Sequence, residues 1–221
     1  MTYRRRKYPP EAMSAHQDLV QEEAADPDRS EEEFEAAPPP LDPETRARRE
    51  AALEHVRKYG DPVLKSRARR VERFDAYLLE EVKRMGHLMD DALGIGLAAP
   101  QVGVLQRVLV YRVEPDATVA ALVNPEIEWA SKETEPMEEG CLSLPGIHVE
   151  VDRPVHIRVT ARDECGEGLL IEASGLEARV IQHELDHLDG VLILDRTSRD
   201  QRKEAMRTLR ERLAADASAA A

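Results

Sequence analysis

The chain has 221 residues, with 44 acidic and 31 basic side chains and a net charge of −13. That length supports one domain with a sizeable core and leaves residues over for a tail. The charge opposes binding to nucleic acid through a general basic surface, so no specific DNA binding is expected. No apolar run approaches the roughly 20 residues that span a bilayer, and no membrane association is expected.

The N-terminus, MTYRRRKYPPEAM, is basic but has no apolar stretch behind it, so it does not read as a secretory signal. Acidic residues follow soon after, which argues against a transit peptide. With only two cysteines, Cys141 and Cys165, the chain reads as a reduced cytoplasmic protein.

Residues 1–44 read as a disordered acidic, proline-rich extension. They have little apolar periodicity, and the prolines at 38–40 break any helix. A helix is expected from Pro43 or Thr45 to about Lys58, stopped by Tyr59-Gly60-Asp61-Pro62. Residues 74–93 carry a helical apolar stripe, with Asp75 as the N-cap. GIGLAAPQVGV (94–104) interrupts that pattern with glycines. RVLVYRV (107–113) and ALVNPEIEW (121–129) read as strands, and EGCLSLPG (139–146) as a loop or strand edge. Residues 148–175 alternate as strands around an ECGEG turn. A helix is expected over 176–188, then a short strand at VLILD and a basic helix over 198–214. Strands and helices without regular βα alternation indicate an α+β fold. The catalytic domain is placed at 45–198, and residues 199–221 are read as a basic C-terminal helix and flexible tail.

QHELDHLDG (182–190) carries the strongest chemical signal. On a helix, His183 and His187 lie one turn apart on one face and can hold one metal ion. Glu184 projects about 100° away, where it could act as a general base on water. Val180, Ile181, Leu185 and Leu188 flank the motif, so this helix is expected to be half-buried. Burying two imidazoles and a carboxylate without partners would be costly, and a metal resolves that cost. A third ligand is needed. The candidates are Cys141, Cys165, His148, His156 and various carboxylates. Cys141, in an apolar loop beside Gly140, is favoured.

Three segments, GIGLAAPQ (94–101), EGCLS (139–143) and QHELDH (182–187), resemble the signature motifs of the peptide deformylase family, in order and suitably spaced. The resemblance covers about 45–205 and includes GDPVL at 60–64. It implies a deformylase-like α+β fold, with antiparallel or mixed sheets around a central HExxH-bearing helix. It also implies one divalent metal held by Cys141, His183 and His187. That metal would be Fe²⁺ in the cell, with Zn²⁺, Ni²⁺ or Co²⁺ able to take its place. The implied reaction removes the formyl group from the N-terminal formyl-methionine of nascent polypeptides and releases formate.

By the same resemblance, Glu184 moves protons, while the Gln101 side chain and the Leu142 backbone N–H stabilise the oxyanion. Ile95, Gly96, Met137, Gly140, Leu176 and Val180 would bind substrate around the methionine side chain. Arg179 is expected to snorkel outward. Glu139 and Arg153 are expected to pair and brace the Cys141 loop, and Asp186 either orients a ligand or faces solvent. The basic C-terminal helix could contact the ribosome through rRNA phosphates. Two rival readings are an HExxH-type zinc peptidase, which has no need of Cys141, and a non-catalytic ribosome- or protein-binding module with a structural metal. The latter needs neither Glu184 nor Gln101.

Overall fold

The computed structural model describes residues 4–5 and 41–219. Among the described residues, five α-helices and eight strands follow in order: β1 (Arg4–Arg5), α1 (Pro43–Glu54), α2 (Ala76–Asp91), β2 (Gly96–Ala98), β3 (Val108–Tyr111), β4 (Ala120–Ala130), β5 (Thr134–Cys141), β6 (Leu144–Pro154), β7 (His156–Arg162), β8 (Gly168–Ser174), α3 (Gly175–Leu188), α4 (Ile193–Arg196) and α5 (Arg199–Ala219). One sheet runs β1-β8-β7-β4-β3-β2, and β5 and β6 form a separate two-stranded sheet. All pairings are antiparallel except β1 against β8. Arg4–Arg5 thus form a strand inside the expected extension, whose remainder through residue 40 lies outside the described residues.

Helix α3 is buried almost all round. Ala178, Val180, Ile181, Leu185 and Leu188 pack into one apolar cluster with Leu109, Leu122, Val159 and Ile171 from the large sheet. On the other side of that sheet, α2 begins where the Asp75 carboxylate accepts a hydrogen bond from Leu78 N (3.2 Å). Its stripe of Leu78, Val82, Met85, Leu88 and Met89 packs against Leu97, Val108, Val110 and Val123. Each such side chain contributes about 1.5–3 kcal/mol on burial. A third cluster joins Leu144, Val149 and Val151 of β6 to Leu192–Leu194, and to Ala205 and Leu209 of α5.

Several boundaries differ from expectation. Helix α1 stops at Glu54, four residues early. Beyond it, Val56 turns into the core, while Arg57 N and Tyr59 N donate to Gln101 O and Ser143 O (2.7 and 2.9 Å). Tertiary hydrogen bonds override local helix preference here. The expected VLILD strand is instead the single turn α4. The Asp195 carboxylate accepts from Leu192 N (2.9 Å) and closes that turn, so Leu192, Ile193 and Leu194 are all buried without alternation. A short apolar run has no period to distinguish the two. EGCLSLPG is the tip of the β5–β6 hairpin. Gly140 pairs with His148 but Cys141 pairs with Leu144, so residues 145–147 form a bulge, with Ile147 turned into the third apolar cluster.

Candidate metal centre and catalytic cleft

The three elements carrying the motifs meet at one point. Cys141 ends β5, while His183 and His187 lie one turn apart on α3. Their donor atoms all fall within 4.8 Å of one another. Cys141 Sγ is 3.3 Å from His187 Nε2. A thiolate and two imidazoles suit a first-row divalent metal such as iron, zinc, nickel or cobalt. Two buried polar atoms beside this cluster, Glu184 Oε2 and His187 Nδ1, have no hydrogen-bond partner among the described residues. The side chains present therefore fit a metal.

The local electrostatics favour ionised ligands. Burial opposes ionisation of Cys141, but the His187 and His183 imidazoles hold its thiol well below the usual range. Glu139 is also buried. Hydrogen bonds from His183 and Arg153 nonetheless bring its carboxyl down to about 2. Ionised Glu139 accepts four hydrogen bonds. Arg153 Nε and Arg179 Nη1 donate to Oε1 (2.6 and 2.8 Å), while Arg153 Nη2 and His183 Nδ1 donate to Oε2 (both 2.9 Å). With Nδ1 donating, His183 keeps its Nε2 lone pair for a metal.

Behind Glu139, Arg153 Nη1 donates to Asp186 (2.9 Å), which also accepts from Arg196 Nε (3.1 Å) and Nη2 (2.5 Å). The expected Glu139–Arg153 pair is thus present, and Asp186 is buried against arginines rather than facing solvent. Arg179 departs from expectation: it points inward, 6% exposed, and also donates to Val151 O (2.9 Å) and Glu135 O. Its headgroup is held by the β5–β6 hairpin, which the helical pattern alone could not reveal.

Gln101 is almost fully buried. Ala98 N donates to its Oε1 (2.8 Å), which fixes the amide and turns Nε2 toward the cluster. Nε2 lies 3.4 Å from Ser143 Oγ and 3.8 Å from Cys141 Sγ, both long contacts that leave it able to donate elsewhere. Lys58 Nζ donates to Leu142 O (3.2 Å), tying the Leu142 turn to the segment after α1.

A cleft of about 430 Å³ opens onto Glu184 and His183. Ile95, Gly96, Met137, Gly140, Leu176 and Val180, expected at the substrate, all line it. Ile95, Met137 and Leu176 are 45%, 37% and 44% exposed, a set of open apolar walls. Gly96 has a steric reason to be glycine: a Cβ there would stand 2.4 Å from Glu184 Oε1 and 2.9 Å from Val180 Cγ1.

The cleft also takes in Leu93, Arg49 and Leu53, which sequence reading did not single out. Leu93 follows α2 with φ 58°. Its N–H and that of Gly94 donate to Asp90 O and Met89 O (3.0 and 2.9 Å), closing the helix with leucine at the left-handed position. The other ligand candidates stay outside the Cys141–His183–His187 cluster: Cys165 is exposed in its turn and His156 on its strand, while His148 is exposed on β6 at the edge of the cleft.

Residues 53–203 match the family described as Polypeptide deformylase. The peptide deformylase of Acidothermus cellulolyticus is 47% identical over 160 residues, which cover 72% of this chain and 87% of that one. The crystal structure of peptide deformylase from Thermotoga maritima aligns with a TM-score of 0.63 at 48% identity, covering 65% of this chain and 96% of that one. A peptide deformylase from Synechococcus elongatus in complex with actinonin aligns at 0.67 and 41% identity, covering 69% and 85%. With the motifs assembled in one cleft and a match this long, the chain belongs to the peptide deformylase family.

Proposed function

We propose that this chain hydrolyses the N-formyl group of formyl-methionyl peptides, releasing formate and a free α-amine. The observation that carries the reading is the meeting of Cys141, His183 and His187 with Glu184 and Gln101 at the foot of one apolar-walled cleft. Cys141, His183 and His187 would hold the divalent metal, Fe²⁺ in the cell. When bound, such a cation supplies Lewis acidity that makes water nucleophilic near neutral pH.

The protein's own groups do the rest. Burial raises the Glu184 carboxyl, an effect partly countered by the charges of His183 and His187. A carboxylate less acidic than usual is a better base and a usable acid. Glu184 takes a proton as water adds to the formyl carbon, and returns it to the nitrogen as the C–N bond breaks. Gln101 Nε2 and the Leu142 N–H donate to the formyl oxygen as it gains charge. They are oriented in advance by Ala98 and by the Leu142–Lys58 contact, so little reorganisation is needed. Ile95, Met137, Leu176 and Val180 receive the methionine side chain, and Gly96 lets Glu184 approach.

In the cell the substrates are nascent chains in the cytoplasm. Arg202, Lys203, Arg207 and Arg210 on the exposed side of α5 supply the charge for a contact with ribosomal RNA. The same helix docks on β6 through Ala205 and Leu209. Ribosome sedimentation with the full chain and with a chain ending at 198 tests this contact: equal binding refutes it. The catalytic reading is tested by formate release from formyl-Met-Ala-Ser with metal-loaded protein. Cleavage of internal bonds in unformylated peptides would instead favour an HExxH peptidase.

A further inference from the structure

Arg49 lies on α1, upstream of the segment that matches the family, yet it lines the same cleft as Glu184 and His183. Leu53, four residues on and therefore on the same helix face, lines it too. The helix is fixed in place: Asp42 caps its start by accepting from Thr45 N (3.0 Å), and Ala52 and Leu53 pack into the α2 cluster.

Among the described residues, no hydrogen bond or ion pair holds the Arg49 guanidinium. The other cations of this region are committed. Arg48 pairs with Asp91 (3.5 Å), Lys58 donates to Leu142 O, and Arg179 is held by Glu139 and two carbonyls. The β5–β6 hairpin also contributes Glu138 to the cleft lining, where it pairs with His148 (3.7 Å). A planar guanidinium with five donors and no acceptor at a cleft mouth is suited to a carboxylate. A formylated peptide has no N-terminal ammonium. Its charges lie only in side chains and at its far end, beyond the residue seated at Glu184.

We propose that Arg49 is a specificity-determining residue that binds a carboxylate carried by the peptide downstream of formyl-methionine. The proposal rests on the deformylase reading. The carboxylate has two sources, an acidic side chain or the C-terminal carboxyl of a short peptide, and the test separates them. Amidated formyl-Met peptides of four residues would carry Glu, Gln or Lys at position two, three or four. The Gln peptides would also be prepared as free acids.

Wild-type enzyme should favour Glu over Gln at one of those positions by about three- to fivefold in kcat/KM, the range of a half-exposed ion pair. The effect should reside in KM and shrink between 0.05 and 0.5 M salt, about 14 Å and 4 Å of screening length. Arg49→Gln should erase the preference, Arg49→Lys should keep part of it, and Arg49→Glu should invert it toward Lys. A gain confined to free acids assigns the terminal carboxyl instead of a side chain. Equal rates for Glu, Gln and free-acid peptides with wild type, or a Glu preference unchanged in Arg49→Gln, overturns the proposal while leaving deformylation intact. No turnover of any formyl peptide by metal-loaded enzyme removes the deformylase reading itself, and this proposal with it.

Discussion

The two faces of α3 are built in opposite ways. Toward the cleft, Glu184 Oε2 lacks a partner, and Gln101 makes only long contacts through Nε2. Toward the interior, Glu139 accepts four hydrogen bonds, and Arg153 links it to Asp186 and Arg196. One face keeps donors and acceptors available, whereas the polar groups of the other are taken up in hydrogen bonds and ion pairs with one another. An unsatisfied buried group costs about 1–3 kcal/mol. Such a face persists only because the saturated network and apolar packing around it fix the helix.

Substitutions should therefore separate the faces. Glu184→Ala, on the open face, should lower kcat by at least about 10³-fold while metal content and thermal stability stay near wild type. Gln101→Ala should cost about 10²–10³-fold in kcat, measured by single-turnover formate release, with little change in KM. Gly96→Ala forces Glu184 Oε1 away from a Cβ 2.4 Å distant and should cost about 10²-fold in kcat with metal retained. Wild-type rates from that variant would show that the observed Glu184 position is not the working one.

On the saturated face the signature should reverse. Glu139→Gln should weaken metal affinity by about 10–100-fold and destabilise the fold by about 3–5 kcal/mol, since it leaves Arg153 and Arg179 short of a buried counter-charge. Chelator competition and denaturant unfolding measure the two effects. An unchanged metal affinity would reduce Glu139 to a fold element. The smallest effect is expected at Leu93→Gly. Relief of a left-handed leucine, worth about 1–2 kcal/mol, is largely offset by the freer unfolded chain, about 0.4–1 kcal/mol. Stability should shift by no more than about 1.6 kcal/mol, while KM for formyl-Met peptides rises with the lost apolar wall.

The open face was the more legible of the two in the sequence. Period and spacing placed His183, Glu184 and His187, and the α2 stripe with its Asp75 cap stands where periodicity put it. The saturated face is assembled from β5, β6 and α3, and only its Glu139–Arg153 pair was foreseen. Nothing local announces that Arg179 turns inward or that His183 rests on Glu139. Arg49 was missed for a similar reason: its role depends on where α1 docks, and no motif encodes that. The VLILD turn shows the remaining weakness, since three consecutive buried apolar residues look alike as strand or helix.

Formate release from a formyl-Met tripeptide by anaerobically prepared protein, with metal content determined on the same sample, is the decisive test of metal-dependent deformylation. Anaerobic handling protects an iron–thiolate centre from oxidation. One divalent metal per chain is expected, with turnover that disappears on chelation and returns with added Fe²⁺ or Ni²⁺. Full metal occupancy with no formate from any formyl peptide would contradict it.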